Sequence, residues 1–186
     1  MSGRMKRADA QLLIIDVQER LVPTIDSHAN VVGSCERLIR YARRLDVPIT
    51  ISEQYPKGLG PTSPVLLGAA GNDATRFDKV EFSCLANARL RAHLATVKQQ
   101  GRRQIVVAGI EAHVCVLQTA IDLMAAGYEV FLVADATGSR GASSRHLAIE
   151  RMRHAGATIV DNEMVMFEWL ERAGTPEFKE LQALLK

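Results

Sequence analysis

Three side chains in this sequence have types that together do covalent chemistry: the carboxylate of Asp16, the amine of Lys79 and the thiol of Cys115. A cysteine becomes a nucleophile when a base takes its proton and a cation steadies the thiolate, so this set would attack a carbonyl or related sp² carbon. Each member also has a plainer reading. Asp16 follows the apolar run Leu12-Leu-Ile-Ile15 and would equally well cap the end of a buried strand. Cys115 lies in Gly109-Ile-Glu-Ala-His-Val-Cys-Val116, at or just inside the expected start of a helix. Free N–H groups and the helix dipole favour a thiolate there, yet free cysteines are also among the most buried of residues. Lys79, opening a weak strand candidate at Val80 to Phe82, is by itself an ordinary solvated charge. Cys35, inside a helical pattern, and Cys84, behind the weak strand, read as packing thiols.

The elements that must position these residues follow from hydrophobic period. Short β-branched runs at Leu12 to Val17, Pro48 to Ser52, Ile105 to Ala108, Val130 to Ala134 and Thr158 to Val160 read as strands buried on both faces. Between them, helical patterns run over Val31 to Leu45, Ala86 to Gln100, Val114 to Ala126 and Ser143 to His154, three of them closed by Gly101, Gly127 and Gly156. Repeated β-α-β units of this kind predict an α/β fold, a three-layer Rossmann-like sandwich with a mostly parallel six-stranded sheet and helices on both faces. One domain over residues 8–186 accounts for the length. In such sheets ligands sit beyond the carboxyl ends of the strands, where Asp16 and the Cys115 segment fall. The turn-rich stretch Glu53 to Thr75 reads as a long binding loop, a lid or pocket wall. The tail from Asn162 reads as two short helices separated at Gly174-Thr-Pro176.

Composition removes several function classes. Lys plus Arg number 23 and Asp plus Glu 21, and the resulting +2 gives no reason to expect a nucleic acid or an anionic membrane as partner. Three widely spaced cysteines without a Cys-x-x-Cys pair argue against a disulfide framework or structural zinc. The apolar run ending at Asp16 is too short for a signal peptide or membrane span, which points to a cytoplasmic protein with reduced thiols. Dinucleotide binding is disfavoured because Asp16-Val-Gln-Glu-Arg20, and no Gly-x-Gly-x-x-Gly, follows the first strand.

The sequence resembles the isochorismatase-like hydrolase superfamily, whose cysteine members include nicotinamidases and N-carbamoylsarcosine amidohydrolase. The resemblance rests on Leu13-Ile-Ile-Asp-Val-Gln18, Phe77-Asp-Lys-Val-Glu-Phe-Ser83, the Gly109 to Val116 segment with Thr119-Ala120, and Ala134-Asp-Ala136. Ser52-Glu-Gln-Tyr-Pro-Lys-Gly-Leu-Gly-Pro-Thr62 and the Gly-Ile-Glu-Ala form of the cysteine motif resemble the isochorismatase domain-containing proteins in particular. It implies a catalytic triad of Asp16, Lys79 and Cys115, and a cis peptide at Ile110–Glu111. The N–H groups of Glu111 and Cys115 would then form an oxyanion hole. It also implies hydrolysis of a small amide-like substrate through an acyl-cysteine, and a homo-oligomer, dimer or higher.

The match departs from nicotinamidases at their metal site. Those enzymes carry an Asp-x-His pair and a further His after the second strand, whereas here Ser52-Glu-Gln-Tyr-Pro56 stands in place and the five histidines lie elsewhere. No metal or organic cofactor is therefore expected. Gln18, Gln54, Tyr55 and Glu111 are the candidate substrate-binding residues; Glu111 has a second reading as a structural carboxylate bonded to neighbouring backbone. His113, two residues before Cys115, invites a Cys–His reading, but the resemblance gives the base role to Asp. The competing functional class is a non-enzymatic ligand-binding or assembly protein that retains the fold.

Overall fold

The β-branched runs form one six-stranded sheet in the computed structural model, which describes residues 3–185. Met1, Ser2 and Lys186, the last closing the expected domain span, lie outside the described residues. The strands are β1 (Ala10–Ile15), β2 (Ile49–Gln54), β3 (Ala74–Lys79), β4 (Gln104–Ile110), β5 (Glu129–Gly138) and β6 (Thr158–Val160). Their spatial order is β3-β2-β1-β4-β5-β6, and every pairing between them is parallel. The chain builds outward from β1 to β3 and then crosses back to lay β4 on the other side of β1. The order therefore reverses between β1 and β4, and their carboxyl ends open a crevice there.

Parallel strands need covering on both faces, and alternation along each strand supplies two cores. Leu12 and Ile14 of β1, Val106 and Ala108 of β4, and Phe131 and Val133 of β5 face one cluster. Leu13 and Ile15, Ile105 and Val107, and Val130 and Leu132 face the other. The first is closed by α1 (His28–Arg44), α3 (Pro64–Ala70), α7 (Asn162–Leu170) and α8 (Pro176–Gln182), which contribute Leu38, Leu66, Trp169 and Leu181. The second is closed by α4 (Ala88–Gln99), α5 (Leu117–Ala125) and α6 (Ala142–Ala155) through Leu94, Leu123 and Met152. Each such side chain contributes roughly 1.5–3 kcal/mol when fully buried.

Two expectations need correction. The third strand is not Val80 to Phe82 but Ala74–Lys79, paired residue for residue with β2 from Ile49↔Ala74 to Gln54↔Lys79. It is the edge strand with Thr75, Arg76 and Asp78 exposed, so it lacks the apolar run that a doubly buried strand displays. The shift matters: Lys79 closes β3 instead of opening a strand, which brings it to the carboxyl edge. Likewise Glu53 to Thr75 is not one long loop, because it holds the short α2 (Pro56–Leu59) as well as α3. Both start with proline in the first turn, where its missing N–H has no helical partner to lose.

Candidate functional site

Three strand ends build the site. Asp16 comes directly after β1 with φ +54°, a left-handed conformation that aspartate tolerates better than most residues. Its carboxylate is completely buried. Lys79 ends β3, two strands away, and its Nζ reaches back across the end of β2 to Asp16 Oδ2 at 2.7 Å. Cys115 follows β4 on the other side of β1. It stands just ahead of α5, near the start of one helical run as expected, but inside a wide π-helical turn, Ala112–Val116, in which the N–H groups of Val114 and Val116 both donate to Glu111 O. The peptide bond Ile110–Glu111 that leads into this turn is cis.

Gly109 brings the strand ends together. With φ at +124°, it lies so close against β1 that a Cβ there would stand 2.1 Å from Ile15 O. Only glycine fits this approach. The residue after Ile15 is Asp16, so this contact packs the end of β4 against the backbone that carries Asp16.

Electrostatics in the site are those of a buried ion pair with a thiol beside it. The burial of Lys79 works against its charge, but the Asp16 carboxylate, with the Cys84 and Cys115 thiols behind it, outweighs burial and holds the ammonium above its ordinary range. Cys115 is pushed in the opposite sense to that expected from a helix N-terminus. Burial raises it first, the Asp16 charge raises it further, and Lys79 only partly offsets them. Burial and the neighbouring Asp16 charge together keep the resting residue a thiol.

Residues that the sequence did not single out complete the cluster. Ser52 Oγ donates to Asp16 Oδ1 at 2.7 Å, fixing the carboxylate plane. Cys84, read as a packing thiol, stands near Asp16, Lys79 and Cys115 and is pushed up to about 11 by burial and then by Asp16. Its backbone N–H donates to Thr119 Oγ1 on α5, and Ser83 Oγ donates to Asp122 Oδ2, so the segment after β3 is fastened to the helix that follows Cys115. Ser52 was detectable in principle: it pairs with Ile15, the residue before Asp16, in the parallel register of β1 and β2.

The four candidate substrate-binding residues separate into two kinds. Gln18 is fully buried, its Nε2 donating to Gln54 O and Gly60 O and its Oε1 accepting from Gln54 N, so its amide joins two backbone segments. Glu111 is likewise turned inward, its carboxylate accepting from the backbone N–H and guanidinium of Arg140, which holds it below the usual carboxylate range against the effect of burial. That is the structural carboxylate of the second reading. Tyr55 is half exposed and, with Pro56, Val80 and Glu81, lines a cleft of about 330 Å³ over Lys79. Gln54 lies between the two kinds, with its side-chain oxygen on Lys79. His113 faces Ser139 Oγ at 3.0 Å. Among the described residues no three His, Cys, Asp or Glu side chains form a group able to hold a metal ion, and no helix is long and apolar enough to cross a membrane.

Known proteins share this architecture. A family model described as the isochorismatase domain matches residues 10–164. Isochorismatase domain-containing protein 2 of Danio rerio is 39% identical over 184 residues, covering 98% of this chain and 90% of that protein. A solved structure of a MAR1 ribonuclease from Caenorhabditis elegans superposes with a TM-score of 0.91 at 35% identity, covering 98% of this chain and 92% of that one. The YcaC gene product of Escherichia coli, described as an octameric hydrolase of unknown specificity, shares the fold with a TM-score of 0.89 at 24% identity, covering 99% of this chain and 91% of that one. The chain belongs to the isochorismatase family of hydrolases.

Proposed function

We propose that the protein is a cysteine hydrolase that cleaves a small amide-like substrate, with Cys115 as nucleophile, Asp16 as base and acid, and Lys79 as the fixed cation. The observation that carries this reading is the fully buried Lys79–Asp16 pair at 2.7 Å, whose two charges both act on the Cys115 thiol. A buried pair of this kind adds little to stability compared with apolar packing, so its value lies in the charge it presents to the sulfur.

In the first half-reaction the Cys115 proton moves to Asp16 as Sγ bonds to the carbonyl carbon, and the C=O pair becomes an oxyanion. The N–H groups of Glu111 and Cys115 receive that oxyanion. Collapse breaks the C–N bond, the leaving amine takes the proton from Asp16, and a thioester remains. Water then gives a proton to Asp16 and adds to the thioester carbon; collapse releases the acid, and the departing sulfur recovers the proton. The resting thiol is consistent with this order, since deprotonation coincides with attack. No step uses a metal or organic cofactor.

The substrate reading is a small molecule. The ribonuclease name belongs to the nematode protein; here 23 basic against 21 acidic residues supply no field that gathers a polyanion. We further propose a cytoplasmic homo-oligomer, for which light scattering at micromolar concentration is expected to exceed the 20.4 kDa of one chain. The activity test is a panel of small amides and esters followed by intact-mass and peptide mass spectrometry. An acyl adduct on Cys115, absent from Cys115→Ala, is expected. No adduct and no turnover across the panel would instead leave the ligand-binding or assembly protein standing.

A further inference from the structure

The middle strand of the three that build the site carries more than a spacer would. Ser52 and Gln54 are alternate residues of β2 and so share a face. Ser52 reaches Asp16 on the β1 side, while Gln54 Oε1 accepts from Lys79 Nζ at 2.6 Å on the β3 side. Gln54 is itself held at every polar group near the site. Its Nε2 donates to Val80 O at 2.8 Å, its backbone N–H donates to Gln18 Oε1 at 2.7 Å, and its carbonyl accepts from Gln18 Nε2 at 2.9 Å. Gln18, two residues beyond Asp16, thus clamps Gln54 from β1's side.

The ammonium has no N–H to spare. Asp16 Oδ2 at 2.7 Å, Gln54 Oε1 at 2.6 Å, Glu81 O at 3.2 Å and Phe82 O at 3.2 Å share its three donors. Lys79 therefore acts on the Cys115 sulfur through its charge at a fixed place and not through a bond to it. The location of that charge is then what matters, and of the four oxygens only Asp16 and Gln54 are closer than 3 Å.

We propose that Gln54 is a positioning residue for the nucleophile: clamped by Gln18, its amide oxygen fixes the Lys79 ammonium against Asp16 and so keeps the cation where it serves Cys115. This replaces the substrate contact expected of Gln54, and it rests on the Asp16–Lys79–Cys115 reading above. The titratable groups whose charge Cys115 feels are Asp16 on β1, Lys79 on β3 and Cys84 after β3, and Gln54 touches only Lys79 among them.

The test uses iodoacetamide, a reagent with no need of an amide-recognising pocket. Its second-order rate on Cys115 is followed by peptide mass from pH 6 to 9 in the unaltered protein and in Gln54→Met, Gln54→Asn and Lys79→Met. Thermal melts check the fold, and the shorter Asn variant covers the case in which Met disturbs the end of β2. Both Gln54 variants are expected to slow alkylation about tenfold, and Lys79→Met more. If Lys79→Met slows labelling but both Gln54 variants stay within about twofold of the parent, Gln54 is a substrate contact and the proposal is overturned while the triad stands. If Lys79→Met also leaves the rate unmoved, the triad reading itself falls and this proposal with it.

Discussion

Cys35 and Cys115 occupy superficially similar surroundings on opposite faces of the same sheet. Each is buried, each has a carboxylate and a cation in electrostatic range, and each is held well above the usual thiol range, Cys35 being pushed up to about 12 by burial. The pairs of charges are Asp135 with Arg37 for Cys35, and Asp16 with Lys79 for Cys115. What differs is what the charged groups are bonded to. Cys35 donates its proton to a backbone carbonyl, Ala136 O, which cannot keep it. Asp135 accepts from Asn162 N and Ser34 Oγ and so ties the sheet to α7 and α1, while Arg37 donates to Ser34 Oγ within α1. Beside Cys115 the carboxylate is Asp16, fully buried and bonded to Lys79 and Ser52 at the strand ends, and the Cys115 residue keeps 6% exposure where Cys35 has none. A raised thiol with charged neighbours is therefore not by itself a nucleophile; in the proposed reading the buried ion pair at the strand ends makes the difference.

The strongest way to break that comparison is to remove each sulfur in turn. Cys115→Ala is expected to abolish acyl-adduct formation and to lower turnover by at least about 10³-fold, because both half-reactions run through that atom. Cys35→Ala should keep turnover within about threefold while lowering stability by roughly 1–2 kcal/mol from the small cavity it leaves. Adduct mass and turnover on the same amide or ester check both. Equal losses from the two variants would show that burial, and not the Asp16–Lys79 pair, sets reactivity.

A second contrast lies in the carboxylates. Asp16→Asn leaves the fully buried Lys79 ammonium facing an amide, and removal of one partner from a buried pair costs about 3–5 kcal/mol. Asp135 is exposed, and Asp135→Asn keeps an oxygen that still accepts from Asn162 N, so its cost is about 1 kcal/mol or less. Urea melts at neutral pH measure both. A difference below about 1 kcal/mol would mean that water reaches Lys79 and relieves its lost charge.

Much of this arrangement was legible in the sequence, and the misses share a cause. Asp16, Cys115 and the β4–α5 segment stand at the ends of long apolar runs, where period alone marks the carboxyl edge. Lys79 was identified but attached to the wrong strand, since β3 is a half-exposed edge strand whose order comes from pairing with β2 rather than from its own hydrophobic content. Ser52 and the role of Gln54 depend on lateral register between three strands, which no local pattern in one strand encodes. Cys84 was taken for packing because its neighbours in sequence are ordinary; α5, through Thr119, is what brings it to the site. A helix terminus alone predicts a lowered Cys115 thiol, and burial, with the Asp16 charge second, reverses that sign.

That reversal has an effect confined to alkaline pH. A thiol whose folded-state value lies above its ordinary 9.0 stays protonated in the native protein while the unfolded chain begins to lose the proton. The unfolded state then binds fewer protons, so stability is unaffected at neutral pH and falls as pH rises above about 9. For Cys35, held at about 12, and Cys84, at about 11, the decline continues to roughly those values. Each thiol contributes a slope of about 1.4 kcal/mol per pH unit within its window. Cys35→Ala and Cys115→Ala should therefore flatten the loss of stability between pH 9 and 11 to the same extent, measured as unfolding free energy by urea at each pH. The two sulfurs would then be equivalent in proton linkage and opposite in catalysis. If only Cys35→Ala flattens the slope, Cys115 is a thiolate in the folded protein and Asp16 has no proton to take from it.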